Sequence, residues 1–573
     1  MTMKQKLLIL GWSIILAIIL GACGTTDTKT DEPQDPGGDI SAPTVEVEEP
    51  DDADGPAVDE ISILRVGSAH GPDCLNPFGC SDHWDFNNLV YEGFTGIGPR
   101  CDTLPRLAKS WEVSEDGLTW TLELQEGARF TDGTPFNAQV AADFFEWFNG
   151  SELTTWYYAS WNMIDVQVLD DYSIQFTTEV PIGNYPTWDA SWWWIMQPSE
   201  WSSVIGSDLY TYAELPNGTG PYDITEWAPG EYVIYDAKPD YYLGEPGVDR
   251  IVFQQYANWD AAVLALQAGE IDMLHMALPV QYYEILAADP AITIEERPPG
   301  WIRSLYFNMS EFGNKHPAIN DPTVREAIDY AIDREKALNI ALEGHGMLCP
   351  NNYACGPIYE GEINPDLTVT PFDLTRANQM LEDAGYLDTD GDGVRESPEG
   401  EPLNFRIFIE DNQPPDLVIA EQITETLGTI GINAQIEALE SGTLFTTMLS
   451  ERDYDLVVQR YWPDIDPAAL DFYASCWTAE AGSNALNWTA YCNPEVDDLV
   501  YMYYTTPDRE EAIGYMYEAQ AIFNNDRPML SIVGDFLIEA FRTDRFDFPI
   551  PGESCDMTPG HWNWPLILDA RPK

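Results

Sequence analysis

The stretch 107-LAKSWEVSEDGLTWTLELQEGARFTDGTPFNAQVAADFFEWF-148 decides the architecture. Two alternating runs flank Asp116-Gly117, a dipeptide suited to a tight hairpin turn between strands. Asp132-Gly133 marks a second turn. Pro135 and Asn137 then lead into a helix beginning near Ala138, with Val140, Phe144, Phe145 and Phe148 on one stripe. The order is therefore strand, turn, strand, turn, helix, and the body that contains it mixes α and β.

Outward from this stretch, the chain of 573 residues is long enough for several lobes. Its 27 basic and 97 acidic residues give a net charge of −70. Residues 24–60 hold 13 acids and Lys29, a net −12, so the body is acidic in its own right. That balance excludes nucleic-acid binding, which needs clustered Lys and Arg. It weakly favours neutral or cationic ligands, and adaptation to a salty or acidic habitat explains it equally well.

The N-terminus reads as a processing signal. Lys4 and Lys6 precede the apolar run 7-LLILGWSIILAIILGA-22, and 20-LGAC-23 has small residues ending in cysteine. The run is shorter than the ~20 residues a membrane span needs. The pattern resembles a bacterial lipobox, which implies cleavage after residue 22, lipid on Cys23 and export. Residues 23–60 are rich in Pro, Gly, Thr and acid and nearly devoid of large apolar side chains. They read as a disordered acidic tether.

Four further motifs follow in order: 218-GTGPYDITEWAPGEYVIYDAKPDYYLGEPGVDRIVF-253, 261-AAVLALQAGEIDML-274, 318-AINDPTVREAIDYAIDREKAL-338 and 453-DYDLVVQRYWPDIDPAALDFY-473. With Ala108, Trp111, Ser114, Asp116, Gly117, Trp120, Thr121, Leu122, Leu124, Gly127, Arg129, Phe130, Asp132, Gly133, Pro135 and Phe136, the chain resembles the family 5 solute-binding proteins of ABC importers (the oligopeptide, dipeptide and nickel type). Thr131 departs from the pattern, where a His is common. The resemblance runs from Ile61 to the C-terminus. It implies an α/β fold of the periplasmic-binding-protein (Venus-flytrap) type, with two ligand-gripping lobes and an extra lobe inserted in the first. Lobe I is expected at 61–103, 218–303 and 530–573, the extra lobe at 104–217, and lobe III at 304–529. Crossings between the gripping lobes are expected near 302–306 and 528–532.

The same resemblance implies a binding protein rather than an enzyme. It would be a monomer held outside the cell by its lipid, capturing a solute between closing lobes for a membrane permease and its ATPase. No Gly-Lys dipeptide occurs, so the chain has no Walker A loop of its own. Peptide is the expected ligand. Asp464, in 461-YWPDIDP-467, is expected to hold its ammonium group, while Asp466-Pro467 starts the next helix. Tyr461 and Trp462 are expected to pack on the ligand. His83 and Trp84 are placed at the cleft mouth, and Trp301, Arg303 and Asn308 on its wall. Arg303 suits a bidentate grip on a carboxylate, or equally an interlobe ion pair. The rivals are an oligosaccharide receptor of the same fold, a nickel-chelate binder, a secreted glycosidase and an adhesive surface protein. Scarce histidine weighs against nickel. The run 191-SWWWIMQPSEW-201 falls in the extra lobe and reads as core or surface packing rather than as the cleft.

One motif belongs to a different chemistry. In 388-DTDGDGVRESPE-399, Asp388, Asp390, Asp392, the Val394 carbonyl and Glu399 occupy the oxygen positions of a calcium loop, with Gly393 at its sharp turn. Upstream, 373–387 reads as a helix, but 401–410 alternates as a strand. The loop therefore reads as a structural Ca²⁺ staple or a metal-free acidic turn, and not as a sensor. Of nine cysteines, setting aside Cys23 leaves close pairs at 74/80, 349/355 and 476/492, with Cys101 and Cys555 remaining. Their spacing does not fix the connectivity.

Overall fold

The computed structural model describes residues 61–72, 74–75, 86–97, 103–149, 163–182, 190, 194–197, 215–275, 278–352, 355, 361–461, 470, 474–476, 479, 487–548 and 570–573. His83, Trp84, Trp462, Asp464 and Cys23 lie outside these residues.

The deciding stretch folds as its local chemistry dictates. Ala108–Val113 and Thr119–Leu124 pair antiparallel. Gly117 takes the left-handed conformation (φ 71°) that the turn requires. Asp116 accepts from the Ser114 hydroxyl at 2.6 Å and from the Leu118 amide at 3.1 Å, which fixes the turn and lowers its own pKa. Asn137 caps the helix Ala138–Asn149 by accepting from the Val140 amide at 3.0 Å. Ser173–Thr178 and Met163–Asp170 complete a four-stranded sheet. Buried side chains of this sheet (Trp120, Leu122, Phe176) and of the helix (Phe145) share one core with Leu64, Val66, Tyr91 and Tyr222 from the flanking segments. The inserted lobe is thus welded to the first lobe. Thr131, the departure from the family pattern, donates to Asp223 at 2.6 Å across that weld. Trp194, from the aromatic run, stacks on Tyr91 and donates to Asn88 at 3.1 Å, so it is core.

A long sheet carries the rest. Its strand order is Asn433–Leu439, Asn404–Glu410, Leu456–Tyr461, Ile292–Phe307, Met529–Arg542, Met273–Leu274, Ile63–Ser68, Arg250–Gln255, Tyr232–Ala237 and Tyr222–Ala228, with Gly346–Leu348 added beside Met529–Arg542. Each wing has parallel pairs, as at Ile63–Ser68 with Arg250–Gln255 and Asn404–Glu410 with Asn433–Leu439, and the first wing ends in the antiparallel strands Tyr232–Ala237 and Tyr222–Ala228. Helices start where the sequence marks them. Asn258 caps Trp259–Ala268, which ends at left-handed Gly269. Asp321 caps Pro322–Tyr330, whose Val324, Ala327 and Ile328 are buried.

Ile292–Phe307 and Met529–Arg542 are the two strands that serve both wings. Ile292, Ile538 and Ala540 belong to the core around Leu266 and Leu274, whereas Leu305, Leu530, Ile532 and Val533 belong to that around Ile407 and Val458. The changeover therefore lies between Arg297 and Ile302 on one strand and between Val533 and Ile538 on the other, a few residues outside the expected crossings. The pairing register slips there, between Arg297 and Pro299 and again between Pro299 and Trp301. Proline has no amide to give the ladder, so the pairing is interrupted here.

Candidate functional site

At the changeover the sheet gathers charge. Arg303 lies directly opposite Arg460 in the ladder. Like charges facing each other across strands repel, and the two arginines meet that cost differently. Arg303, 4% exposed, donates Nε to Asp535 at 2.8 Å, pairs Nη2 with the same carboxylate at 2.7 Å and donates Nη1 to fully buried Asp416. Asp416 sits in the first turn of the helix Pro414–Thr429, where the dipole favours a negative charge. Burial pushes the Asp416 carboxyl up and Arg303 pulls it back.

Arg460 has no such pairing. Its guanidinium lies 4.2 Å from the centre of the half-exposed Trp301 ring, a cation–π contact. Among the described residues no carboxylate comes within 4.0 Å of it. Burial and the neighbouring Arg303 push its pKa down, while Asp416, Asp535 and Glu410 pull from farther off. Glu410 is itself occupied, accepting from Gln459 at 3.1 Å. The outcome is a half-buried cation, over an aromatic face, whose charge the described residues do not fully compensate.

The expected wall residues divide accordingly. Trp301 is half-exposed beside Arg460. Arg303 is not on a wall, because its donors point to Asp416 and Asp535. This is the ion-pair reading of that residue and not the carboxylate grip. Asn308 is fully buried and donates to the carbonyls of Arg452 and Tyr454, both at 2.8 Å, so it knots the backbone. Tyr461 is likewise buried, edge-on to Tyr306. Arg460 is the residue that the sequence reading passed over. The available signal was a lone arginine within the apolar run 456-LVVQRY-461, in a chain so poor in basic residues.

The acidic loop stands where expected, between the helix Leu374–Asp383 and the strand Asn404–Glu410. Oxygens of Asp388, Asp390, Asp392 and Glu396 come within 4.8 Å of one another. Glu396, at the ninth loop position, takes the place expected for Glu399. Bridges to Leu387 and Pro402 hold Glu396 at the neck of the loop, and its carboxylate accepts from the Thr389 amide at 2.8 Å. The Asp388 carboxylate accepts from Gly391 and Gly393 at 2.7 and 3.0 Å. This all-oxygen donor set fits a hard cation such as Ca²⁺.

Cys349 and Cys355 are joined (S–S 2.16 Å), as are Cys476 and Cys492 (2.04 Å). Cys74 is also disulfide-bonded. No helix of the described residues is long and apolar enough to cross a membrane.

This architecture, two wings joined by a pair of crossing strands with a charged site at the joint, is that of a solute-binding protein. Residues 102–484 match the middle region of the bacterial extracellular solute-binding proteins, family 5, and the chain belongs to that family. It is similar to the oligopeptide-binding protein AppA of Bacillus subtilis, 24% identical over 529 residues and 91% of each chain. It is also similar to the nickel-binding periplasmic protein of Escherichia coli, 25% identical over 425 residues, 72% of this chain and 78% of that one. The structure of AppA with a nonapeptide superposes with a TM-score of 0.72 at 22% identity, over 89% of this chain and 99% of that one. The chain is therefore an extracytoplasmic solute-binding protein of the ABC-importer type, and not an enzyme.

Proposed function

We propose that this protein is the lipid-anchored receptor of a peptide importer, with Arg460 and Trp301 receiving a ligand carboxylate and Asp464 the ammonium group. The single observation behind it is the under-compensated guanidinium of Arg460 on the Trp301 face. A neutral oligosaccharide gives that charge nothing to pair with. A peptide carries one charge of each sign at its ends, and a buried ammonium needs a carboxylate such as Asp464. The relative named for oligopeptide binding points the same way. Closure requires no chemistry. A ligand that touches both wings binds the closed state better and shifts the population toward it. Cys23 carries the lipid, residues 24–60 hold the body off the membrane, and a permease with its ATPase takes the delivered peptide.

Thermal unfolding with a panel of free peptides, C-terminally amidated peptides and oligosaccharides tests this. Free peptides should raise the melting temperature, with ~2.7 kcal/mol expected at ~100 times Kd. Amidation should abolish most of the shift. Stabilisation by oligosaccharides alone would reject the peptide reading.

The loop at 388–399 is proposed to bind Ca²⁺ through Asp388, Asp390, Asp392 and Glu396. Calcium should raise the unfolding midpoint and a chelator should reverse it. Glu396→Gln should lose most of that increment, and Glu399→Gln should retain it. The reverse ranking would restore Glu399 as the ligand.

A further inference from the structure

We infer that Arg452 holds a small inorganic anion of the halide class inside the second gripping lobe, remote in role from the peptide site. Arg452 follows the helical turn Thr446–Glu451 and is 0% exposed, the largest of the fully buried side chains. Two of its contacts, Tyr454 and Trp488, belong to one core cluster with Leu444, Met448 and Val457. One side of the guanidinium is satisfied, with Nη1 donating to the carbonyls of Asn487 at 3.0 Å and Trp488 at 2.7 Å. The other edge, Nε with Nη2, is buried without a hydrogen-bond partner.

That edge is the one other arginines of this chain fill. Arg250 sets Nε and Nη2 on Asp236, Arg303 on Asp535, Arg542 on Asp544, and Arg325 on the Asp526 carbonyl. Two planar N–H groups side by side suit an anion. Of the carboxylates that flank Arg452 in sequence, Glu451 is exposed, and Asp453 and Asp455 are engaged elsewhere. Asp453 accepts from Arg406 at 2.7 Å and from Asn314 at 3.0 Å. Asp455 accepts from Arg406 and from the His316 amide. Among the described residues, Tyr454 is the one ionisable group that interacts with Arg452, through charge and through its hydroxyl, and burial keeps that phenol protonated. The Tyr454 hydroxyl donates to the Trp488 carbonyl, so it offers no charge.

A second orphan donor belongs to a residue that Arg452 already touches. The Trp488 indole Nε1 is buried without a partner, on the residue whose carbonyl Arg452 already holds. A fully buried cation costs several kcal/mol unless it is paired. A water molecule would accept hydrogen bonds but not neutralise the charge. An anion does both, and complete enclosure favours a single atom over a carboxylate-bearing molecule.

The test follows unfolding of the full chain by denaturant, at constant ionic strength, as chloride replaces gluconate. In the range above the dissociation constant, each tenfold rise in chloride should move the midpoint up by an equal step. Bromide should act similarly. Trp488→Phe, which keeps the ring and deletes the N–H, should need several-fold more chloride for the same shift. Arg452→Met should lose the steps altogether. A wild-type midpoint indifferent to chloride, or unchanged steps in Arg452→Met, overturns the inference. Should Arg452→Met fail to fold, crystals of the wild type grown in bromide decide the matter. An anomalous peak beside Nε and Nη2 supports it, and density there without an anomalous signal rejects it.

Discussion

Arg460→Ala is expected to weaken peptide binding by ~2–5 kcal/mol, roughly 30-fold or more in Kd, while leaving the fold intact. The magnitude follows from the site. Arg460 is half-buried and only partly compensated among the described residues, so a ligand carboxylate gains a partner already stripped of much of its water. The fold should survive because the sheet at this point does not depend on the Arg460 charge. Removing it even relieves the repulsion from Arg303 across the ladder. A small rise in the unfolding midpoint of the unliganded variant is consistent with the same geometry.

A double cycle separates charge pairing from general damage. Amidating the peptide removes the carboxylate, and Arg460→Ala removes its partner. If the two groups meet, the second change costs little once the first is made. Additive losses would show that Arg460 acts elsewhere. Trp301→Leu is expected to cost less, on the order of 1 kcal/mol, since it removes the aromatic seat and not the charge.

What the sequence made legible was local. The hairpin around Asp116-Gly117, the cap at Asn137 and the Asp321-Pro322 helix start each involve groups a few residues apart, and each appears as written. The site was less legible because its partners are distant. Arg303 and Arg460 read alike along the chain, as one arginine in an apolar strand. What distinguishes them is Asp535, 232 residues from Arg303, and Asp416, 113 residues from it. Only the packed sheet and the helix start at Pro414 deliver those carboxylates to one arginine and not the other. The acidic loop at 388–399 shows the same limit on a small scale. Spacing selected Glu399 at the twelfth position, but the bridges at Glu396 fold the ninth position back onto the three aspartates.

Arg303→Met is expected to destabilise the body by ~3–5 kcal/mol, the usual consequence of stripping one partner from a buried ion pair. The loss should depend on pH, and its sign is set by Asp416. In the wild type two influences oppose each other on that carboxyl: burial raises its pKa and Arg303 lowers it. Without Arg303 the burial remains, so the folded-state pKa rises further above its value in the unfolded chain. A group raised in this way contributes fully below the unfolded carboxylate range, and the contribution is lost as pH climbs through the raised value. The deficit of Arg303→Met should therefore be larger at pH 8 than at pH 5. Adding Asp416→Leu should remove that slope and recover part of the stability, since an apolar pair of similar volume carries no desolvation penalty. Denaturant melts of the two variants at both pH values measure this. A pH-independent loss, or no recovery in the double variant, would mean that the Arg303 charge is not what fastens the crossing strands to the helix at Pro414. Recovery would mean that this arginine's task is to hold the changeover together, leaving Arg460 beside it for the ligand.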